Sequence, residues 1–568
     1  MAFPDENDAP TPEEVGQEWL DALDAEAPVS PLAHLNGHAR VDDRPEVKLG
    51  KDMHRVIDEA QRALSRDPRV YQRAYELVTV VGAEPSPRDK APIAKGAPMI
   101  RALSSASVIP RFTRFVNFQR YDQPNPKAIR TAEALGKKAE GEWRESLPPP
   151  NVVAPFLACG EWPDIRMIVG VTETPLFRID GSIHQTRGYD ESTGYLYAPS
   201  RDYPDIAELP SQQDARRSLA DLAHVFCDFP YVDPSHAMVP IAAFLSVLAR
   251  PAIDGPVPAF LFDASTRGSG KTLQADVVSL LATGRGAARA TYPADEEELA
   301  KVLMAYALAG CPTVLLDNIT RVLGGGVLDA VLTARDDVQF RVLGKNEAPR
   351  LPWRTVIFAS GNNLVPGEDT MRRVLMARLE SDLENPEDRT GFQHPDLFRW
   401  VRDERPRLVA AGLTILRAFT CHGRPDAGCK RWGTFEAWSD LIPHALVFAG
   451  GADPMGARPT RESGVSDDLA AHAIVLRELG RLAPDGMSAA EIVRALYPAP
   501  GPNDPPDGWE ELRDAIECWC PGRPGATPDH RTLGRRLRQA KGRLLNGMRI
   551  EARAGHAGAV RWTPRRLG

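Results

Sequence analysis

The chain has 568 residues, of which 43% are hydrophobic and 26% are charged, a composition typical of folded proteins and unlike that of disordered chains. This length exceeds what one hydrophobic core can organise, so we expect about three or four folded units. The formal net charge of -8 argues against a protein that coats nucleic acid over its whole surface.

Targeting and redox signals are weak. The first ten residues, MAFPDENDAP, are acidic and lack the apolar segment of a signal or transit peptide. No run approaches the roughly eighteen apolar residues that a membrane span needs, so no membrane partner is expected. The seven cysteines are odd in number and show no C-x-x-C spacing, which favours reduced thiols in a cytoplasmic protein.

The first 258 residues are predicted to lie before the catalytic domain in the chain. Residues 1–45 read as a disordered acidic leader, and residues 46–205 as an α+β accessory domain. The accessory domain contains a predicted helix over 52–64, a strand over 75–81 and a hairpin turn at Asp180-Gly181. Helical spacing of apolar residues then predicts a helical connection over 206–258.

An α/β block follows, in which strands and helices alternate as in a mostly parallel sheet. We predict an ATPase core with a helical lid over 259–460, and a basic domain over 467–568. The fold class is therefore α/β, flanked by an α+β domain and a small C-terminal domain.

The apolar strand Ala259–Asp263 leads into STRGSGKT, residues 265–272. The phosphate-loop consensus is G-x-x-x-x-G-K-[ST], in which backbone N–H groups hold the phosphates, Lys reaches the terminal phosphates and the hydroxyl binds Mg²⁺. Ser265 replaces the first glycine, and an ordinary surface turn is the alternative. The predicted ligands of ATP are Ser265, Gly268, Ser269, Gly270, Lys271, Thr272 and Leu273.

A second apolar strand, Cys311–Asp317, ends in a carboxylate of the kind that holds Mg²⁺ in P-loop enzymes, so Thr272 and Asp317 are the predicted metal ligands. Asn318 stands where many such ATPases place a glutamate base, and an amide cannot accept a proton. Three alternatives follow: another carboxylate serves as the base, hydrolysis relies on positioning and charge stabilisation, or hydrolysis is slow.

A third strand, Thr355–Gly361, precedes Asn362 and Asn363, and we predict that Asn363 orients the attacking water. The segment 369–379 is predicted to be a helix that carries Arg372 and Arg373 toward a neighbouring subunit's nucleotide; such arginines are worth about 10³–10⁵ in rate. A solvated helix face is the alternative. The predicted catalytic residues are Lys271, Asp317, Asn363, Arg372 and Arg373.

A family resemblance rests on STRGSGKT, TVLLDN, FRVLG, FASGNN and DTMRRVLMARL, in this order. Together they resemble the helicase-type ATPase module of phage, prophage and plasmid replication proteins, the superfamily 3-like AAA+ proteins often fused to a primase. The upstream segment from Gly160 to Tyr197 is similar to the region that precedes this module. The resemblance extends from about residue 46 to the C-terminus.

The resemblance implies an AAA+ type parallel sheet, a hexameric ring and translocation on single-stranded or forked DNA. It also implies that Lys345, in the stretch RVLGKN, contacts DNA in the pore, although a solvated turn lysine is the alternative. Residues 1–205 lack the paired metal-binding carboxylates of a primase, so a separate primase is a possible partner.

The C-terminal segment is strongly basic, with a predicted helix over 528–543 followed by two short strands, an order that looks like a winged-helix domain. A solvated helix is the alternative. The predicted DNA contacts there are Arg535, Arg536, Arg538, Lys541 and Arg543.

Two functions follow from these features. The first is an ATP-dependent DNA helicase or translocase of a mobile genetic element. The second is a DNA-binding regulatory or defence ATPase that uses nucleotide as a switch and hydrolyses it slowly, as Asn318 would allow.

Overall fold

The computed structural model describes residues 43–83, 95–264, 268–293, 295–319, 321–335, 337–339, 350–362, 364–380, 389–459, 467–498, 508–520, 527–541, 548–554 and 560–566. The chain divides into two compact units, Met1–Arg458 and Pro459–Gly568. None of the helices within these ranges combines the length and the apolar character that crossing a lipid bilayer requires.

The first unit begins with an α+β region. Its helices are α1 (Met53–Leu64), α2 (Ser105–Phe115), α3 (Pro126–Ala134) and α4 (Pro150–Leu157). Its strands are β1 (Glu46–Lys48), β2 (Tyr71–Arg73), β3 (Glu76–Gly82), β4 (Pro98–Ala102), β5 (Asn117–Asp122), β6 (Glu142–Glu145), β7 (Gly170–Thr172), β8 (Leu176–Phe177), β9 (Ile183–His184), β10 (Gly188–Asp190) and β11 (Tyr195–Tyr197). The strands form several small sheets, including β2-β3-β4 and β10-β11-β7.

The local signals in this region are confirmed. Asp52 accepts a hydrogen bond from the Arg55 amide and so begins α1 as an N-cap. Gly181 has a φ of 80° in the turn between β8 and β9, which pair antiparallel. Only glycine adopts that left-handed conformation at little steric cost, which is why Asp-Gly predicted the hairpin.

The rest of the unit is an α/β core with helices on both faces. Its helices are α5 (Gln212–Val225), α6 (Pro234–Leu248), α7 (Lys271–Thr283), α8 (Glu296–Ala309), α9 (Gly326–Thr333), α10 (Leu397–Cys421), α11 (Glu436–Ser439) and α12 (Ile442–Phe448). Its strands are β12 (Ala259–Ala264), β13 (Arg289–Thr291), β14 (Thr313–Ile319), β15 (Asp337–Gln339), β16 (Arg350–Pro352), β17 (Val356–Asn362) and β18 (Val374–Leu379).

Five of these strands form one sheet, in the order β13-β14-β17-β12-β18, and every neighbouring pair in it is parallel. Helices α6, α7 and α10 bury one face of the sheet, and α8 and α9 bury the other. Strand β12 is buried along its whole length, as its apolar sequence predicted. Because the strands are parallel, their carboxyl ends lie at one edge of the sheet.

One predicted element is wrong. Residues 369–379 do not form a helix: Thr370–Arg373 is a short 3-10 turn, and Val374–Leu379 is the edge strand β18, parallel to β12. Five of the six β18 residues are buried. A strand covered on both faces shows no alternation of apolar and polar residues, so periodicity does not separate it from a helix.

The second unit contains α13 (Asp467–Leu482), α14 (Ala489–Leu496), α15 (Glu510–Trp519) and α16 (His530–Ala540), followed by β19 (Met548–Ala554) and β20 (Val560–Arg566). The two strands pair antiparallel over all seven residues, and Met487 forms a bridge to Trp562 beside them. Leu533 and Leu537 of α16 lie in the core of this unit. The order of helices followed by a hairpin agrees with the sequence prediction of a small helical domain ending in two strands.

Candidate nucleotide and metal site

The glycine loop connects the central strand β12 to the first residue of α7. Gly268 and Gly270 have φ values of 74° and 83°, in the left-handed region that the loop requires. Gly270 is the N-cap of α7 and, within the described residues, no side chain caps that helix end. Its first N–H groups are therefore directed at the loop, where they and the helix dipole favour an anion. Ser265 lies outside the described residues, and Leu273 lies in the first turn of α7.

Gly270 also has no room for a side chain, since an added Cβ would lie 2.8 Å from Cε1 of Phe229. We expect Gly270→Ala to destabilise the chain by about 1–3 kcal/mol, from strained backbone and overlap, and to weaken ATP binding. Urea unfolding and calorimetric ATP titration measure the two effects.

The double variant Phe229→Ala/Gly270→Ala removes the overlap but keeps the strained φ, so it separates the two causes. Wild-type stability and ATP affinity in Gly270→Ala would contradict the assigned loop geometry.

The predicted metal ligands lie together. The Thr272 hydroxyl donates to Oδ1 of Asp317 at 3.4 Å, although the two residues are 45 positions apart in the chain. Ser360, near the end of β17, donates to the same carboxylate oxygen and lies 3.3 Å from the Thr272 hydroxyl. Oxygen atoms of these three side chains converge at the carboxyl edge of the sheet. Mg²⁺ prefers such oxygen ligands, completed by water and nucleotide phosphates, so the donor set suits it.

Sequence reasoning missed Ser360. It is completely buried in β17, and its contact with Asp317 depends on how β17 lies beside β14. The available signal was a small hydroxyl residue within an otherwise apolar strand. This signal is weak, because the hydroxyl of a buried serine commonly forms a hydrogen bond with nearby backbone.

An arginine faces the same carboxylate. Arg289, on β13, approaches Asp317 with an Nη1 to Oδ2 distance of 3.4 Å, and it also pairs with Asp276 of α7. Burial raises the pKa of Asp276 to about 6, and the charge of Asp317 adds to this effect. The guanidinium places positive charge between two carboxylates, which is where a bound cation would also be stabilised.

The Asp276 carboxyl makes stability depend on pH. Its pKa is near 4 in an unfolded chain and about 6 here, so folding takes up a proton between these values. Stability from this group is therefore greatest below pH 4 and decreases as pH rises through 6. Relative to Asp276→Asn, we expect the wild-type melting temperature to fall by about 2–4 °C over that window.

Melting curves at pH 4 to 7 test this difference. Asp337→Asn, which alters an exposed carboxylate on β15, provides the matched control. Parallel curves for wild type and Asp276→Asn would show that the Asp276 carboxyl does not titrate in this range.

Lys271 begins α7 and lies close enough to Asp263 for its charge to lower the pKa of that carboxyl, against the larger upward effect of burial. Asp263 is completely buried in β12 and accepts hydrogen bonds from the Leu364 amide at 2.8 Å and from Arg378 at 3.1 Å. Arg378 is thus held by an ion pair within the same chain, at the strand end beside the glycine loop.

Of the two consecutive asparagines at the end of β17, the structure describes only Asn362. Asn363, the predicted water-orienting residue, lies outside the described residues. Asn362 is the last residue of β17 and lies opposite Ala264, the residue that enters the glycine loop. Its Oδ1 is buried, and no described residue donates a hydrogen bond to it. A buried amide oxygen without a partner is costly, so Asn362 is a second candidate for contact with water or phosphate.

Asn318 is exposed and has a φ of 53°, at an irregularity where the β14–β17 register shifts between Leu316 and Ile319. Its backbone N–H donates to Asp317 Oδ1 at 2.8 Å. Asparagine tolerates this left-handed conformation better than glutamate does. The residue after Asp317 therefore orients the carboxylate through its backbone.

The two predicted trans-acting arginines differ. Arg373 pairs with Asp329 of α9 at 3.0 Å and donates to the Asp369 carbonyl at 2.6 Å. Arg372 is exposed; its backbone amide donates to the Asp369 carbonyl and its carbonyl accepts from Trp432, while its side chain forms no hydrogen bond or ion pair with the described residues. Arg372 is therefore the better placed of the two to reach another subunit.

The predicted DNA contacts lie elsewhere. Lys345 and Arg543 fall outside the described residues, although β15 and β16 pair antiparallel on either side of 340–349, as a hairpin would. On α16, Arg535 and Arg538 are exposed, as is Lys541 after it, whereas Arg536 donates to the Trp519 carbonyl at 3.0 Å and holds two helices together.

Sequence comparisons give no family. No family model matches the chain, and no curated protein matches its sequence. Solved structures resemble it distantly. The apo A form of the NrS-1 C-terminal region is 11% identical over 74% of this chain and 92% of that one, with a TM-score of 0.31. A JCV helicase is 10% identical over 45% of this chain and 71% of that one, with a TM-score of 0.19. At these TM-scores the functional conclusion depends on the site itself.

Proposed function

We propose that this protein is a P-loop ATPase that binds ATP and Mg²⁺ at the edge of the parallel sheet. The observation that carries the proposal is the hydrogen bond between Thr272, directly after the glycine-loop lysine, and Asp317, near the carboxyl end of the separate strand β14. If the glycine loop were an ordinary surface turn, there would be no reason for a carboxylate from a distant strand to lie beside its last hydroxyl.

The residues of this site are assigned the following roles. The N–H groups at the start of α7 and Lys271 bind the phosphates, and Mg²⁺, held by Thr272 and Asp317, would offset their negative charge. Ser360 orients Asp317 by its hydrogen bond, and Asn362 or Asn363 orients water. No carboxylate base is assigned, because position 318 is an amide.

We further propose that ATP hydrolysis drives movement on DNA, as in a helicase or translocase of a mobile genetic element. Support comes from the motif order and from the exposed basic side chains of Arg535, Arg538 and Lys541, which suit phosphate backbones. The test is ATP turnover with and without single-stranded DNA, together with unwinding of a forked duplex. Absence of both stimulation and unwinding would remove the translocase assignment.

A second function is favoured by Asn318, namely an ATPase that binds DNA under nucleotide control and hydrolyses slowly. It predicts ATP-dependent assembly and DNA binding with negligible turnover. Mass photometry with ATP and with ADP, beside the turnover assay, distinguishes this switch from a motor.

We also propose that the protein acts as a ring-shaped homo-oligomer, with Arg372 contributed to the neighbouring subunit's nucleotide. Arg372→Ala should lower turnover by about 10³-fold or more while ATP affinity changes little. Arg373→Ala, which breaks an intrachain pair, should instead lower the melting temperature.

Mixing two inactive variants tests whether Arg372 acts on the nucleotide of a neighbouring subunit. Lys271→Ala subunits keep Arg372, and Arg372→Ala subunits keep the phosphate loop, so mixing the two inactive variants should restore part of the turnover. If the mixture stays as inactive as either variant alone under conditions where the subunits exchange, Arg372 does not act in trans.

A further inference from the structure

A second cleft, mostly apolar but containing several arginines, lies at the opposite end of the sheet from the glycine loop. Its wall includes Thr313, at the start of β14, and Thr355, just before β17, together with Gly170–Leu176 of the accessory region. We call it the junction cleft. The cleft opens to solvent and is lined by both polar and apolar groups.

Two of the arginines in this cleft are buried, and some of their N–H groups have no hydrogen-bond acceptor among the described residues. Arg73 is 5% exposed; its Nη2 donates to the Ala307 carbonyl at 2.7 Å, while its buried Nε and Nη1 have no acceptor among the described residues. Arg250 is 3% exposed; it donates to the carbonyls of Ile253 and Trp353, both at 3.0 Å, and no described residue accepts from its buried Nε. Buried donors without acceptors are uncommon because they cost free energy.

A third arginine of the cleft, Arg354, is half-buried, and its one hydrogen bond within the described part of the chain is to the Ile253 carbonyl, at 3.4 Å. Among the described residues, none of these three arginines forms an ion pair with a carboxylate. Arg285, also in the wall, differs because it is paired with Glu173. Burial lowers the pKa of Arg73 to about 10 and of Arg250 to about 9. The charge of Arg354 acts against that of Arg250, with Asp254 offsetting part of this effect.

Tyr195 sits among the same charges. Burial raises the pKa of its hydroxyl, and the charges of Arg73, Arg250 and Arg354 all act in the opposite direction, which places the phenol near all three. Its ring packs so closely on Gly170 that an added Cβ there would lie 2.6 Å from Cε1. The hydroxyl is thus fixed in position as a further hydrogen-bond donor at the cleft.

We propose that the junction cleft binds a small phosphate-bearing anion, supplied by a nucleotide or as free phosphate. Guanidinium groups match phosphate oxygens in geometry and charge, and an anion would satisfy the donors that the chain leaves without acceptors. Apolar wall residues such as Val171, Leu176 and Leu248 can cover the uncharged part of an organic ligand. Burial of Arg73 and Arg250 excludes the backbone of a long nucleic acid, so the ligand is a small molecule.

The experiment is isothermal titration calorimetry on the full chain carrying Lys271→Ala, which weakens the glycine-loop site. Inorganic phosphate and AMP are the probes, since AMP lacks the β and γ phosphates that a glycine loop holds. We expect one saturable binding event, weakened at least 10-fold by Arg354→Gln and by Arg73→Gln. Arg101→Gln, on an exposed position of β4 outside the cleft, should leave it unchanged. Tighter binding of AMP than of phosphate would identify a nucleotide as the source; equal binding would identify free phosphate.

Melting curves establish which variants fold. If Arg73→Gln does not fold, Arg354→Gln and Tyr195→Phe still decide the question, because the former is half-exposed and the latter removes one hydroxyl. The proposal is overturned if neither probe gives saturable binding, or if Arg354→Gln binds as Arg101→Gln does. This outcome is independent of the ATPase assignment, which is measured by turnover in chains with an intact Lys271.

Discussion

Lys271→Ala is expected to lower ATP turnover by about 10²–10³-fold or more, the usual effect of removing a group that stabilises developing charge. The residue begins α7 directly after Gly270, where its ammonium can reach the terminal phosphates. Only part of the side chain is buried, so the fold should survive the change. Steady-state turnover and a melting curve measure the two properties.

Lys430→Ala is the matched control, since Lys430 is exposed and lies far along the chain from the glycine loop. It should leave turnover unchanged. A Lys271→Ala chain that hydrolyses ATP at the wild-type rate would mean that the glycine loop is not the catalytic phosphate site.

Asp317→Asn is expected to lower turnover by a similar factor, for a different reason. The amide has the shape of the carboxylate but lacks its charge, so it holds Mg²⁺ poorly and leaves Arg289 with one fewer anionic partner. Raising the Mg²⁺ concentration should recover part of the activity of Asp317→Asn and none of that of Lys271→Ala. A magnesium titration of turnover for both variants shows this difference.

Asp337→Asn serves as the control, because it neutralises an exposed carboxylate without touching the sheet edge. If Asp317→Asn and wild type show the same magnesium dependence, Asp317 is not a metal ligand.

Much of the core was predictable because its signals are local. The buried strand β12, the glycine loop and the apolar strand ending at Asp317 each show their role within about ten residues. The outcome for β18 was different: residues 369–379 were predicted to form a helix, but VLMARL is a strand with five of its six residues buried.

Other members of the site depend on how distant segments pack. Ser360 joins Thr272 and Asp317 only because β17 lies beside β14, and Arg289 meets Asp276 across a strand and a helix. A sequence gives neither the sheet order nor the register. The unpartnered arginines of the junction cleft were missed for the same reason, since Arg73 and Arg250 are 177 positions apart and neither belongs to a recognisable motif.

The borders of the parallel sheet limit how copies of this protein can associate. On one side Tyr231 bridges to Leu379, and the Val232 amide donates to the Arg378 carbonyl, so backbone from another part of the chain covers the carboxyl end of β18. On the other side the outermost strand, β13, has only three residues. Strand pairing between copies along either border would therefore be short, which favours association through side-chain surfaces that can loosen and re-form without disturbing the sheet.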